Sequence, residues 1–223
     1  MTALFSGQRP KPSAIIFDWD NTLVETWPII HDALNATLSA FGKAEWTLAE
    51  TKVRIRKSMR DSFPEMFGDS WRDASEVFYA RYEEIHAARL EPADGAAEML
   101  DGLSEMDISM AVVSNKRGDF LRLESAHLGW DGYFGRLVGA NDAARDKPAR
   151  DPVDLALSGD AGPGDGEIWF VGDADIDLEC AIGSDCIPVL LRLEAPGIGE
   201  FVDHPPTLHF SDCKALCKYV GKL

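Results

Sequence analysis

Five short apolar runs alternate along the chain with segments whose apolar residues recur at helical spacing. The runs are Ile15–Trp19, Ile108–Asn115, Arg136–Ala140, Glu167–Asp173 and Cys186–Arg192. Nearly continuous apolar strands that alternate with helices are typical of a parallel sheet, because helices cover both faces of such a sheet. The pattern therefore predicts an α/β fold in three layers, with the sheet in the middle.

A long helical segment separates the first two predicted strands. It far exceeds a βα connection of roughly 2–6 residues, and apolar residues recur along it at helical spacing. We therefore predict an all-α domain, residues 25–91, inserted into an α/β core domain formed by residues 14–24 and 92–223.

Cap and breaker residues predict the boundaries of the helices inside this insertion. A Thr followed by Pro marks a start, Gly an end, and a Thr-x-x-Glu pair suggests a capping box. The predicted segments are Thr26 to Gly42, Thr47 (with Glu50) to about Lys57, a break at Pro64, and Ser70 to a point before Pro92.

Charge and composition limit the possible partners. The chain has 38 acidic and 22 basic residues, a formal net charge of −16, which disfavours nucleic acid and anionic membranes as partners. No apolar stretch approaches the roughly 18 residues of a membrane span, and the N-terminus lacks the apolar region of a signal peptide. The four cysteines lack metal-ligand spacing and are expected to be reduced thiols. We expect a cytoplasmic protein.

Polar residues follow the first four predicted strands, at the point where each strand ends. Ligands of open parallel sheets bind at the carboxyl ends of the strands, so these side chains are expected to face one place. In chain order they are Asp18, Asp20 and Thr22, then Ser114 and Asn115, then Lys147, then Asp173 and Asp177.

The aspartates among these residues suggest a metal site. Asp18 and Asp20 share a face of an extended segment, and two carboxylates so close repel each other unless a cation or proton lies between them. Asp173 adds a third carboxylate, and Asp177 follows four residues later, on the same face of a helix that begins there. A cluster of oxygen ligands without His or Cys favours a hard cation, and Mg²⁺ fits because it shares oxygens with a substrate phosphate.

The remaining residues suit a phosphate group bound beside that ion. Asp18 is then the nucleophile, and its attack on phosphorus gives an aspartyl phosphate. Asp20 protonates the leaving oxygen and later deprotonates the water that hydrolyses the intermediate. Hydrogen-bond donors for the phosphate come from Ser114, Lys147 and the backbone amides near Trp19, Asn21 and Asn115.

Taken together, these residues resemble the motifs of the haloacid dehalogenase superfamily of phosphatases. Asp18-x-Asp20-x-Thr22, Ser114, Lys147 and Gly172-Asp173-x-x-x-Asp177 stand in the family's order and at matching strand ends. The resemblance runs from about Ala14 to Cys217, and it implies a Rossmann-like core with a small helical cap formed by the insertion.

The resemblance also implies an activity, the hydrolysis of phosphomonoesters with Mg²⁺ as cofactor. It makes Asp18 the nucleophile and a metal ligand, and Asp20 the acid/base and a ligand through its backbone carbonyl. It places Asp173 on the metal, Asp177 in support of the metal site, and Ser114 and Lys147 on the phosphate. Asn21 replaces the family's usual Gly, and we expect the loop to tolerate it because Asn accepts unusual backbone angles.

A basic segment in the insertion suggests a second contact with substrate. Arg54, Arg56, Lys57 and Arg60 lie close together in an otherwise acidic chain. Either Arg60, with Ser58, holds the non-phosphate end of an anionic substrate, or the segment is a solvated helix face. In length and helix pattern the insertion is similar to the cap of phosphoglycolate phosphatases.

Several functions remain open at the level of sequence. The main expectation is a phosphatase acting on a small phosphate ester. A sugar-phosphate mutase shares every core residue, and a non-catalytic binding protein with the same fold is a third reading. Dehalogenases and phosphonatases fit less well, since relatives of both kinds lack the second aspartate that Asp20 supplies. The sequence leaves open whether the protein is a monomer or a dimer.

Overall fold

The computed structural model describes residues 9–55, 59–158 and 166–223, with the backbone alone at 59–61. The chain divides into two compact units. The core unit comprises the described residues up to Val24 together with Pro92–Leu223, and the helical unit comprises Glu25–Glu91. The strands are β1 Ala14–Phe17, β2 Val24–Glu25, β3 Glu91–Pro92, β4 Ser109–Arg117, β5 Arg136–Ala140, β6 Ile168–Gly172, β7 Ile187–Leu191 and β8 Leu208–Phe210. The α-helices are α1 Trp27–Ala40, α2 Leu48–Arg54, α3 Met59–Phe67, α4 Trp71–Arg89, α5 Ala96–Glu105, α6 Gly118–Leu128, α7 Asp151–Leu157, α8 Asp175–Gly183 and α9 Cys213–Val220.

A six-stranded sheet in the order β5-β4-β1-β6-β7-β8 forms the centre of the core unit. All its described pairings are parallel, and the predicted α/β fold is confirmed. The chain passes from β1 to β4 and β5 on one side and then returns to β6 on the other side of β1. The sheet order therefore switches direction beside β1, and such a switch point opens a crevice at the carboxyl ends of the strands.

The short edge strand β8 was not predicted. It has only three residues, Leu208–Phe210, and pairs with β7. Its half-buried residues carry little pattern, because a strand needs about four residues or more before alternation or a continuous apolar run is visible. The predicted strand Glu167–Asp173 ends one residue after the observed β6, at Gly172. The predicted strand Ile108–Asn115 ends two residues before the observed β4, which continues to Arg117.

Local sequence signals mark where two helices of the helical unit begin. The helix α1 follows Thr26 with Pro28 in its first turn, as predicted, although the Thr26 side chain makes no capping hydrogen bond. The capping box at the start of α2 is confirmed, because the Thr47 side chain accepts from the Glu50 amide at 3.2 Å and the Glu50 carboxylate accepts from the Thr47 amide at 2.8 Å. The described part of α2 ends at Arg54, and the residues up to the predicted end at Lys57 lie outside the described ranges.

The predicted break at Pro64 is wrong, because Pro64 lies inside α3. Proline in a helix interior costs about 3 kcal/mol. The neighbouring Phe63 is fully buried and Phe67 nearly so, and the ring of Phe63 packs on those of Phe67 and Phe78 at centroid distances of 5.1 and 5.6 Å. Burying two phenylalanine side chains contributes about 1.5–3 kcal/mol each, which is enough to offset the proline.

The core unit buries its cysteines and gives its sheet a continuous apolar interior. Cys180, Cys186 and Cys213 are buried free thiols, and Cys217 is partly buried. Burial raises the pKa of the Cys180 thiol to about 11, so it stays protonated and unreactive near neutral pH.

Over the described residues, no helix combines the length and apolar character that crossing a membrane requires.

Candidate active site

The candidate site lies at the carboxyl ends of β1, β4 and β6, beside the point where the sheet order switches. Phe17, the last residue of β1, pairs with Val112 of β4 and Val171 of β6. The next residue, Asp18, stays in register because its amide donates to the Val171 carbonyl at 2.8 Å. The central strand therefore delivers Asp18 into the crevice between its two neighbours.

Lys147 makes the closest contacts to Asp18. Its Nζ lies 2.6 Å from Asp18 Oδ1 and 2.7 Å from Asp177 Oδ1, and all three side chains are more than nine-tenths buried. Burial lowers the pKa of Lys147, but the charges of Asp177 and Asp18 raise it more, so that the net shift is upward. Lys147 is therefore a permanent cation between two carboxylates.

Asn115 holds the segment that carries Lys147. The Asn115 side-chain amide donates to the Lys147 carbonyl at 3.1 Å, and its oxygen accepts from the Lys147 amide at 3.0 Å. These two bonds tie the end of β4 to the loop after β5. Since both ends of the Asn115 side chain are engaged, only its backbone amide is left for the phosphate role predicted for this residue.

Three carboxylates meet around this lysine. Asp18, Asp173 and Asp177 offer oxygens that all lie within 4.8 Å of one another. Burial, and then the neighbouring charges of Asp177 and Asp20, raise the pKa of Asp18 to about 7 against the lowering effect of Lys147. Burial and the charges of Asp177 and Asp18 also raise the pKa of Asp173 well above its usual range. Lys147 alone thus leaves the cluster with an excess of negative charge.

This cluster fits a hard divalent cation. Its donors are carboxylate oxygens only, and burial together with the neighbouring carboxylates raises the pKa of Asp18 and Asp173. A cation between these groups would favour their ionised forms. Mg²⁺ is bound through one or two carboxylates together with substrate and water oxygens. Asp177 is the least available of the three, since its two oxygens accept from Lys147 Nζ at 2.7 Å and from the Ala174 amide at 3.1 Å.

Gly172 allows the Asp177 side chain to pack directly against the end of β6. In the sequence, Gly172 is part of a motif but has no predicted role. A Cβ at Gly172 would lie 2.3 Å from both Cβ and Cγ of Asp177. Asp177 cannot move aside, because Lys147 and the Ala174 amide fix its carboxylate. A Gly followed by an Asp at a strand end, with another Asp four residues on, is the signal that could have revealed this contact.

The loop after β1 places Asp20 beside Lys116. Asn21 has a φ of +62° and donates through its amide to the Val24 carbonyl at 2.7 Å, so the loop accommodates Asn in the left-handed conformation as expected. Asp20 Oδ1 lies 2.6 Å from Lys116 Nζ. Sequence reasoning gave Lys116 no role, and nothing in the spacing of the two residues indicates the contact.

Ser114 lies at the same end of β4. It is buried, and its Oγ accepts from the Lys116 amide at 3.3 Å. Ser114 and Lys116 are two residues apart on an extended strand, so they share a face. Ser58 and Arg60 are predicted to contact substrate from the insertion. Ser58 and the Arg60 side chain lie outside the described residues.

The fold and the site define a class of protein, a Rossmann-like α/β enzyme with an acidic cluster and a buried lysine at its strand ends. The chain belongs to the haloacid dehalogenase-like hydrolase family, whose sequence model matches residues 15–189. The predicted family, and with it the prediction of an enzyme, are confirmed.

Curated proteins similar to the chain include phosphatases. A phosphoglycolate phosphatase of Xylella fastidiosa is 30% identical over 174 residues, which cover 76% of each chain. An N-acetylmuramic acid 6-phosphate phosphatase of Pseudomonas aeruginosa is 29% identical, with 94% of this chain and 99% of the relative covered. A solved structure of a predicted phosphoglycolate phosphatase from Haemophilus somnus superposes with a TM-score of 0.81 at 21% identity, covering 94% of this chain and 98% of the other.

Proposed function

We propose that the protein is a Mg²⁺-dependent phosphatase that hydrolyses a small phosphomonoester through an aspartyl phosphate on Asp18. One observation carries the proposal: Asp18 projects from the central strand into a cluster with Asp173 and Asp177, and Lys147 contacts it at 2.6 Å. A buried carboxylate beside a cation and a metal-binding cluster is suited to attack an anionic phosphorus, because the positive charges offset the repulsion between the two anions.

The reaction proceeds in two displacements. An oxygen of Asp18 attacks phosphorus, and the bond from phosphorus to the ester oxygen breaks with its electron pair leaving on that oxygen. Asp20 gives its proton to the leaving oxygen. Asp20 then takes a proton from water as the water oxygen attacks the phosphorus of the intermediate. Inorganic phosphate leaves, and Asp18 is a carboxylate again.

The other residues bind and orient. Lys147 keeps Asp18 in place through the 2.6 Å contact and, with the Ser114 hydroxyl, donates to the phosphate oxygens. The backbone amides near Trp19, Asn21 and Asn115 add neutral donors. Asp18, Asp173 and the Asp20 carbonyl, with Asp177 in support, would hold Mg²⁺, which would supply a Lewis acid to polarise the phosphoryl group.

The helical unit, Glu25–Glu91, is proposed to act as a cap that excludes bulk water and selects the substrate. Arg60 and Ser58 are proposed to contact the non-phosphate end of that substrate. Two relatives support an anionic group there, because phosphoglycolate and N-acetylmuramic acid 6-phosphate, the substrates in their names, are both phosphate esters of carboxylic acids. We therefore propose a phosphate ester that also carries a carboxylate.

A phosphate-release screen tests the proposal. The protein is assayed with Mg²⁺ against phosphoglycolate, N-acetylmuramic acid 6-phosphate, sugar phosphates and para-nitrophenyl phosphate. We expect release from at least one carboxylate-bearing ester, and its loss in Asp18→Asn beyond the roughly 10²–10⁴-fold effect of a general acid. Asp107→Asn is the matched control, because Asp107 is an exposed aspartate of the core unit at a φ of +56°, which Asn tolerates.

The screen also separates the alternatives. Interconversion of glucose phosphates faster than phosphate release would identify a mutase. Turnover of no ester in the panel would favour a non-catalytic protein. Mg²⁺ binding is measured independently of turnover, as a rise in the unfolding temperature of the wild type that Asp173→Asn reduces. No such rise would contradict the proposed metal site.

A further inference from the structure

Asp20, the proposed acid/base, contacts a buried ion pair formed by Lys116 and Glu124. The proposed reaction gives neither residue of this pair a role. Lys116 Nζ lies 2.6 Å from Glu124 Oε2 and also 2.6 Å from Asp20 Oδ1. The side chains of Lys116 and Glu124 are 4% and 0% exposed, whereas that of Asp20 is 23% exposed. Lys116 therefore contacts Asp20 from the protein interior, and the open side of Asp20 faces away from the pair.

The same glutamate also holds the residue before Asp20. Trp19 Nε1 donates to Glu124 Oε2 at 2.7 Å. The indole packs edge-on against Trp130 and Phe134, with ring centroids 5.8 and 6.4 Å away. Neighbouring residues of the β1 loop, Trp19 directly and Asp20 through Lys116, are thus tied to one carboxylate on α6.

The backbone that carries Lys116 is itself fixed. A Cβ at Gly139 would lie 2.4 Å from Gly118 Cα and 2.7 Å from the Lys116 carbonyl oxygen. The strands β4 and β5 also shift register between Val113 and Arg117. The end of β4, the start of α6 and β5 therefore meet too closely for any side chain at Gly139, and this close packing fixes the backbone at Lys116.

Stability alone is a weak reason for this arrangement. An ion pair removed from water loses the hydration of both charges, and apolar residues of similar volume often fill such a position with equal or better stability. A buried ion pair does, however, hold its members at fixed positions. Here Lys116 holds Oδ1 of Asp20, a buried oxygen whose contact with Lys116 is ionic and lacks hydrogen-bond geometry. The Asp20 side chain stays 23% exposed, which leaves an open side for the leaving group.

We propose that Lys116 and Glu124 are positioning residues, which hold the carboxyl group of Asp20 in line with the leaving oxygen of the substrate. The inference rests on the proposed phosphatase function. Asp20 must first donate a proton to the leaving oxygen and then accept one from water at nearly the same place. A carboxyl group that rotates freely would meet neither atom consistently, and misplacement by about 1 Å can lower a rate 10²-fold.

The leaving group reports on this role. Poor leaving groups need the proton of Asp20 to depart, whereas para-nitrophenolate departs largely without it. The measured quantity is kcat/KM, which covers only the steps up to departure of the leaving group. The substrates are a series of aryl phosphates from para-nitrophenyl to para-methoxyphenyl, together with one alkyl phosphate that the wild type hydrolyses.

The main variant is Lys116→Met with Glu124→Gln, which removes both charges while the Gln oxygen still accepts from Trp19. We expect kcat/KM for the alkyl phosphate to fall at least about tenfold more than for para-nitrophenyl phosphate, as the loss of part of a general-acid effect of 10²–10⁴ requires. Glu124→Gln alone keeps Lys116 against Asp20 and should give a smaller change of the same kind. It is the variant measured if the double variant does not fold.

The control is Ser125→Ala. Ser125 follows Glu124 on α6, is buried, and donates to Asp131 at 2.6 Å without touching Asp20. It should lower the unfolding temperature and leave the dependence on leaving group unchanged. An equal loss for all substrates in the Lys116 and Glu124 variants, or no loss, would overturn the positioning role while leaving the phosphatase intact. If the wild type hydrolyses none of the esters, the proposed function fails and this inference fails with it.

Discussion

Replacing Asp18 by Asn should stabilise the metal-free protein while removing its activity. Burial and the charges of Asp177 and Asp20 raise the pKa of Asp18 from 3.8 to about 7, and the opposing effect of Lys147 is already included in that value. Each pKa unit corresponds to about 1.4 kcal/mol, so the ionised Asp18 carboxylate costs on the order of 4 kcal/mol of folding free energy. Asn is neutral and nearly the same shape.

The sign of the pH dependence follows from the same shift. Between pH 3.8 and about 7 the folded protein holds a proton on Asp18 that the unfolded chain has lost. The free energy of unfolding of the wild type therefore falls as the pH rises through this window. The advantage of Asp18→Asn should accordingly grow from about 2 kcal/mol at pH 5 to on the order of 4 kcal/mol at pH 8.

Urea unfolding followed by circular dichroism measures this difference. It is run at pH 5 and pH 8 in the presence of a chelator, on the wild type, Asp18→Asn and the surface control Asp107→Asn. Mg²⁺ should then stabilise the wild type more than Asp18→Asn, because the proposed metal site includes the ionised Asp18 carboxylate. If Asp18→Asn is no more stable than the wild type at pH 8 in chelator, the electrostatic account of the cluster is incorrect.

Three further substitutions probe the packing. Gly172→Ala puts a methyl group 2.3 Å from the Asp177 side chain. It should destabilise the protein by about 1–3 kcal/mol and reduce phosphate release. The control Gly132→Ala adds a methyl group that meets nothing within 4 Å, so it should change neither stability nor phosphate release. Phe63→Ala should lower the free energy of unfolding by about 3–5 kcal/mol, and a loss below 1 kcal/mol in urea titrations would argue against the offset proposed for Pro64. Thr47→Ala removes one half of the capping box and should cost about 1 kcal/mol in the same titrations.

The parts of the fold that the sequence revealed depend on periodicity and on strand ends. The apolar residues of β1 and of β4 stop at polar residues, so the sequence alone places Asp18 and Ser114 at the edge of the sheet. The order of the sheet then brings β1 next to both β4 and β6. Local signals were reliable where the physics is local, as at the capping box of Thr47 and Glu50.

Contacts between distant residues left no such signal. In the sequence, nothing distinguishes Glu124 from other acidic residues on helices. Its importance follows only from its burial and from its contacts with Lys116 and Trp19. The side-chain bonds from Asn115 to the Lys147 backbone join residues 32 positions apart. Pro64 shows the opposite failure, because a strong local preference was outweighed by aromatic packing that only the tertiary structure creates.

The central position of β1 has a consequence for biogenesis. The first strand of the chain pairs with two strands that follow much later, Ala14 lying beside Ser109 on one side and Ile168 on the other. During synthesis from the N-terminus, β1 leaves the ribosome long before either partner, and the more local contacts of the helical unit are available first. A nascent chain that stops short of β6 lacks Asp173 and Asp177 and leaves one side of β1 open. The candidate active site therefore forms only when the last third of the chain pairs with β1.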